Sequence, residues 1–143
     1  MREVKKLATR DSYGMALCEL AKKHTDFVVL DADLAAATKT GMFKKEYPDR
    51  FFDCGISEAN MVGVAAGLAT TGIIPFATSF AMFSTGRAYE QIRNMVGYPH
   101  LVTVLFPCPN HAPFAIYFAV SYNIRGNASL VCKLNVINNP PNL

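Results

Sequence analysis

Phe27-Val28-Val29-Leu30 puts four apolar residues in a row, and the run ends on an acid, Asp31. A strand with one wet face alternates apolar with polar. A run without alternation needs cover on both faces, as in a parallel sheet with helices above and below. Phe51-Phe52-Asp53, Ile73-Ile74-Pro75-Phe76-Ala77 and Leu101 to Phe106 read as three further short strands. Segments at helical spacing lie before and between them. Asp11 to about His24 carries Leu17, Leu20 and Ala21 as a stripe, with Thr9 or Asp11 as cap and Lys22, Lys23 and His24 suited to the C-terminal dipole. Gly41 to Tyr47 predicts a short helix stopped by Pro48. Ser57 to Thr71 sets Met61, Val64, Ala65 and Leu68 on one face and stops at Gly72. Thr85 to about Val96 turns Ala88, Ile92 and Met95 or Val96 inward. The alternation predicts an α/β domain with a mainly parallel sheet flanked by helices. Ligands collect at the carboxyl ends of the strands in such sheets. Asp31 and Asp33, the Asp53–Glu58 segment and the Thr78–Phe83 segment all follow strands, so all three are expected to converge there.

Composition narrows the class. At 143 residues the chain is one domain by length, large enough to bury a core, and its 51% apolar and 17% charged residues suit elements covered on most sides. A net charge of +3, with no Lys or Arg run longer than two, argues for a solvated surface rather than a nucleic-acid face. Cys18, Cys54, Cys108 and Cys132 form no CxxC pair and read as small buried hydrophobes. The charged N-terminus lacks the apolar stretch of a secretory signal, and no window reaches the ~18 apolar residues of a membrane span. The expectation is a cytoplasmic protein with reduced thiols. All eleven acids lie at or before Glu90, whereas five of eight prolines follow His100. Beyond Pro107 the signals for regular elements fail, with Pro107, Pro109 and Pro113 as breakers. Residues 1–106 are therefore read as the domain and 107–143 as a divergent, irregular tail.

Glu58 is the residue with the sharpest alternatives. One acid in an otherwise apolar or small helix start either meets the helix dipole or shares a proton with a ligand nitrogen. Asp31 and Asp33, two acids at i and i+2 after a strand, could contribute to a magnesium site, or Asp31 could close the strand while Asp33 caps the next turn. Phe80 and Phe83, followed by Arg87 and Tyr89, are core packing or an apolar slot for an aromatic heterocycle. His24, His100 and His111 lack ligand spacing, and GxxxxGK[ST], GxGxxG and GxSxG are absent.

Several longer runs carry a resemblance. They are Thr9 to Leu17, Val29-Leu30-Asp31-Ala32-Asp33-Leu34, Phe51-Phe52-Asp53-Cys54-Gly55-Ile56-Ser57-Glu58-Ala59-Asn60-Met61, Pro75 to Phe83, and Arg87-Ala88-Tyr89-Glu90-Gln91-Ile92-Arg93. In this order, over about residues 5–101, they resemble a transketolase pyrimidine-binding domain, as at the start of the C-terminal subunit of a split transketolase. The resemblance implies a thiamine diphosphate enzyme moving a two-carbon ketol unit between sugar phosphates. It implies that Glu58 hydrogen-bonds the N1′ nitrogen of the aminopyrimidine, favouring the imino tautomer that takes the thiazolium C2 proton. The cofactor supplies the carbanion chemistry; the protein supplies orientation and one proton relay. Phe80 and Phe83 match aromatics around the pyrimidine, Ile56 another cofactor contact, Asp33 an acid on the thiazolium side, and Arg10 a sugar-phosphate contact. A 1-deoxy-xylulose-5-phosphate synthase shares the glutamate and the Arg-Ala-Tyr-Glu-Gln helix, but the Asp31 to Leu34 and Thr38-Lys39-Thr40 runs lean toward transketolase.

The pattern also departs from that family. Ala37 stands where a hydroxyl often helps hold the sugar phosphate. The Gly-Glu-Asp-Gly and His-Gln segment of the family does not follow Leu101, so a truncation or change of reading frame near Leu101 to Val104 is expected, with a catalytically silent fragment as the rival reading. No GDG run is present to hold the diphosphate and its Mg2+. That half is expected from a diphosphate-binding partner subunit in a homo- or hetero-oligomer, and no residue of this chain is assigned to a metal.

Overall fold

The structure, a computed structural model, describes residues 8–108; the expectations for the tail lie outside the described residues, apart from its first two positions. Among the described residues, four strands, β1 (Phe27–Asp31), β2 (Phe51–Asp53), β3 (Ile74–Phe80) and β4 (Val104–Cys108), form one sheet in the order β2-β1-β3-β4. Every pairing is parallel, and Asp53, Asp31 and Thr78 stand level across the sheet at its carboxyl edge. The α-helices of the described residues, α1 (Thr9–Ala21), α2 (Ala35–Thr38), α3 (Gly41–Glu46), α4 (Glu58–Thr70) and the single turn α5 (Tyr89–Gln91), flank it.

All five residues of β1 are buried, and the two faces of the sheet explain why the run does not alternate. Val28 and Leu30 pack with Met61, Val62, Ala65 and Ala66 of α4. Phe27 and Val29 pack with Leu17, Cys18 and Ala21 of α1 and with Phe43 of α3. Each face has its own core. From β1 the chain pairs outward to β2, then crosses back to pair β3 on the other side of β1. The strand order reverses between β1 and β3, which opens a crevice at their carboxyl ends.

α1 begins two residues earlier than expected and stops three residues short of His24. Ala8, extended, takes the cap position without a side-chain bond, so neither Thr9 nor Asp11 caps the helix. The other end is held from a distance. Arg50, closing a 3-10 turn at Pro48–Arg50, donates to the carbonyls of His24 at 2.9 Å and Ala21 at 3.4 Å. Its guanidinium lies 4.7 Å from the Tyr47 ring centre and 5.0 Å from that of Phe27. Gly14 is required by proximity, since a Cβ there would come within 2.6 Å of the Lys39 carbonyl oxygen.

α4 is rotated from the expected stripe. Val64 is 41% exposed, and the buried set is Glu58, Met61, Val62, Ala65 and Ala66. That set follows i, i+3, i+4, i+7, i+8, so Glu58 is the first member of the buried stripe. Gly72, expected as the stop, has φ of +89° just past the helix.

β3 runs three residues beyond Ala77, so Thr78, Ser79 and Phe80 belong to the strand rather than follow it. Pro75 costs the ladder nothing: Ile74 N–H donates to Asp26 on the β1 side, so Pro75 faces the β4 side, where pairing starts only at Phe76. The helix expected over Thr85–Val96 is instead two π-wound segments, Phe83–Arg87 and Ile92–Gly97, around α5. Thr85 Oγ1 donates to the Ala81 carbonyl at 2.7 Å and competes with the backbone ladder there. Ala88 and Val96 are buried as the spacing predicts, while Met95 faces out. β4 starts three residues after Leu101 and includes Pro107, tolerated because β4 is an edge strand among the described residues.

Candidate active site

Successive residues of β3 point to opposite faces, so Ser79 faces α4 while Thr78 faces α1. Glu58 opens α4 with only 2% of its surface exposed. Ser57, in the cap position, makes no side-chain cap bond, and Glu58 turns inward along the buried stripe. Its Oε2 accepts a hydrogen bond from Arg87 Nη1 at 3.1 Å, and its Oε1 lies at 3.4 Å from the Ser79 hydroxyl, a long contact. Arg87 Cζ sits 4.4 Å over the Phe83 ring, and Phe83 is stacked with Phe80 at 5.9 Å between ring centres. The Arg87 side chain is 54% exposed, so solvent screening limits the pair itself to about 1 kcal/mol or less. A buried acid left with no cationic partner would cost more than the pair contributes.

The α1 face of the same edge is built around Asp31. Its Oδ1 accepts from Leu34 N–H at 2.6 Å, and its Oδ2 accepts from the hydroxyls of Thr38 and Thr40, each at 2.8 Å. Burial pushes the Asp31 carboxyl up from its ordinary range, against those three bonds, which favour the ionised form; neighbouring Asp53 adds a smaller upward push. Asp31 therefore ties down the β1–α2 connection, and both its oxygens are engaged. It is Asp31, not Asp33, that holds the start of α2. Asp33 is exposed with φ of +60°, and its N–H donates to Asp53 Oδ1 at 3.1 Å, which also accepts from Gly55 N–H at 3.0 Å. Among the described residues, no three His, Cys, Asp or Glu side chains group as a metal site. Tyr13 of α1 and Thr78 share a hydroxyl–hydroxyl bond of 2.8 Å, and burial drives the Tyr13 phenol well above its ordinary value. Arg10 lies near the Cys108 thiol, where its charge pulls against the larger upward effect of burial.

The structure thus brings Glu58, Phe80 and Phe83 into one cluster through Arg87. The other three candidates sit apart. Ile56, 75% exposed, is on the loop two residues before Glu58. Asp33 is tied to the end of β2. Arg10 belongs to the α1 face. Ser79 and Arg87, the two partners of Glu58, carried no assigned role in the sequence reading. Arg87 stands four residues after Phe83, a spacing that hints at a shared face, but nothing local links it to Glu58.

A parallel α/β domain with a buried acid and a stacked aromatic pair beside the switch point of its sheet has the build of a cofactor-binding domain. Residues 5–112 match the family described as Transketolase, pyrimidine binding domain, beyond the residue-101 limit read from the motifs. A Methanocaldococcus jannaschii protein named as a transketolase C-terminal section is 61% identical over 92 residues, covering 64% of this chain and 29% of that protein. A Clostridium protein named 6-deoxy-6-sulfo-D-fructose transketolase subunit SqwH is 47% identical over 92 residues, with the same coverage of 64% and 29%. A solved structure described as a split gene transketolase, inactive beta4 tetramer, is similar with a TM-score of 0.65 and 53% identity, over 71% of this chain and 34% of that one. The chain belongs to the transketolase pyrimidine-binding domain family. It spans 29% of the length of each of the two curated relatives described.

Proposed function

We propose that this chain forms the pyrimidine-binding half of a transketolase active site, with Glu58 as the residue that engages the cofactor's aminopyrimidine. The observation that carries this reading is a buried acid at the carboxyl end of the sheet, linked through Arg87 to a stacked pair of aromatic rings. A flat heterocycle with a ring nitrogen fits this arrangement: Phe83 and Phe80 offer a stacking surface, and Glu58 offers a carboxyl for the nitrogen. Thiamine diphosphate, when bound, would supply a stabilised carbanion for the transfer of a two-carbon ketol unit. Glu58 holds or releases a proton at its carboxyl oxygen toward the ring nitrogen. Phe80 and Phe83 orient the ring and keep water from its faces. Ile56, on the exposed rim, would help hold an edge of the cofactor, and Asp33 would contribute an acid on its thiazolium side. Arg10 grips the anionic end of the sugar, since a guanidinium can bind phosphate oxygens in a bidentate fork. A sulfonated sugar, of the kind named in the Clostridium relative, presents a similar oxygen tripod.

The diphosphate and its Mg2+ are assigned to a partner subunit, as suits a chain similar to proteins described as a transketolase C-terminal section and a split gene transketolase. The test is ketol transfer after mixing the chain with a diphosphate-binding transketolase subunit. Glu58→Gln, which keeps the shape but not the acid, should lower kcat by about 10²–10⁴-fold. Equal rates for wild type and Glu58→Gln would remove Glu58 from the reaction.

A further inference from the structure

Arg87 already takes up the two surfaces that the proposed pyrimidine would use, the face of Phe83 and the carboxyl of Glu58. Its guanidinium is flat and nitrogen-edged, it stacks over Phe83 at 4.4 Å, and its Nη1 donates to Glu58 Oε2 at 3.1 Å. A ring that stacks on that face of Phe83 while reaching Glu58 would need the same volume. We infer that Arg87 is an internal placeholder: in the free chain it fills the seat of the heterocycle, and it swings out when the ring binds. The inference rests on the cofactor reading above and adds a gate to it.

Three features fit such a role. The Arg87 side chain is half exposed, so it can leave without breaking a packed core. It closes a π-wound segment rather than a regular helix, and π-turns are frequent at functional sites. Next along, Ala88 is fully buried and fixes the backbone, so the motion is confined to the arginine stem. The arrangement also keeps Glu58, 2% exposed, from standing without a cationic partner before the cofactor arrives. Displacement then subtracts the arginine contacts from the affinity for the ring, as any competition between an internal and an external ligand must.

The probe is a soluble methylaminopyrimidine, lacking thiazolium and diphosphate, titrated into the full chain and followed by NMR. Arg87→Ala should bind it about 3- to 10-fold more tightly than wild type, because nothing has to be displaced. Arg87→Met, which keeps an apolar stem over Phe83, should shift in the same direction and serves if the alanine variant folds poorly. In wild type, the Arg87 guanidinium resonances should move toward those of a free arginine as the probe saturates. Weaker or unchanged binding by both variants, or unmoved Arg87 resonances at saturation, overturns the placeholder. Glu58→Leu, which leaves no hydrogen-bonding atom for the ring nitrogen, separates the two levels in the same titration. If it binds as well as wild type, the cofactor reading itself fails; if it loses the probe while Arg87→Ala gains nothing, only the placeholder does.

Discussion

Asp31 shows what a single buried acid does to this edge of the sheet. Burial raises its folded pKa above the ~3.9 of an unfolded aspartate. Between those two values the native state holds more protons than the unfolded state, so stability falls as pH rises through the window. The contribution is fully present below about pH 4 and is lost as pH passes the folded pKa. Against Asp31→Asn, the wild-type advantage in urea denaturation should therefore shrink as pH is raised from about 4 to 7; an advantage that grows with pH would contradict the sign. The burial of Glu58 was legible in principle, since the phase 58, 61, 62, 65, 66 is present in the sequence. The phase 61, 64, 65, 68 was the alternative, and packing against the sheet chooses between them. The pairing with Arg87 was not legible, because 29 residues and a strand separate the two.

Elements depend on contacts that reach across the chain. α1 lacks a side-chain N-cap and finishes on carbonyls held by Arg50. Arg50→Ala should cost about 1–3 kcal/mol, combining charge-assisted hydrogen bonds with cation–π contacts, and should lower Tm measurably. An unchanged melting curve would mean that water replaces the guanidinium without loss. Gly14→Ala sets two effects against each other. Helix propensity gains about 1 kcal/mol, while a Cβ 2.6 Å from the Lys39 carbonyl oxygen forces a shift costing about 1–3 kcal/mol. The clash should win and Tm should fall; a rise would show that the α2–α3 connection yields easily. The strands were readable as short apolar runs, yet β3 extended to Phe80 because pairing with β4 continues through polar Thr78 and Ser79. Helical periodicity identified the inward Ala88 and Val96 but not the π winding, which in the first segment accompanies the bond from the Thr85 hydroxyl to the Ala81 carbonyl.

At the scale of the molecule, the order β2-β1-β3-β4 turns scattered motifs into one edge. The acid-terminated strand run and the alternation of helices and strands pointed to a mainly parallel sheet, and the split gene transketolase structure agrees with that fold. The sequence did not reveal that the edge has two faces, one centred on Glu58 and one on Asp31, since that division follows from strand alternation in three dimensions. This chain spans less than a third of the two curated relatives described, one of them named as a transketolase C-terminal section, and is proposed to complete its site with another subunit. The most direct measurement is therefore hydrogen–deuterium exchange at the thiazolium C2 of thiamine diphosphate, followed by NMR, with this chain, Mg2+ and a diphosphate-binding transketolase subunit mixed together. The proposed role of Glu58 requires exchange well above that of the cofactor in buffer for wild type, falling by about 10²-fold or more in Glu58→Gln. Exchange equally fast in Glu58→Gln, or no faster in the wild-type mixture than in buffer, would contradict it.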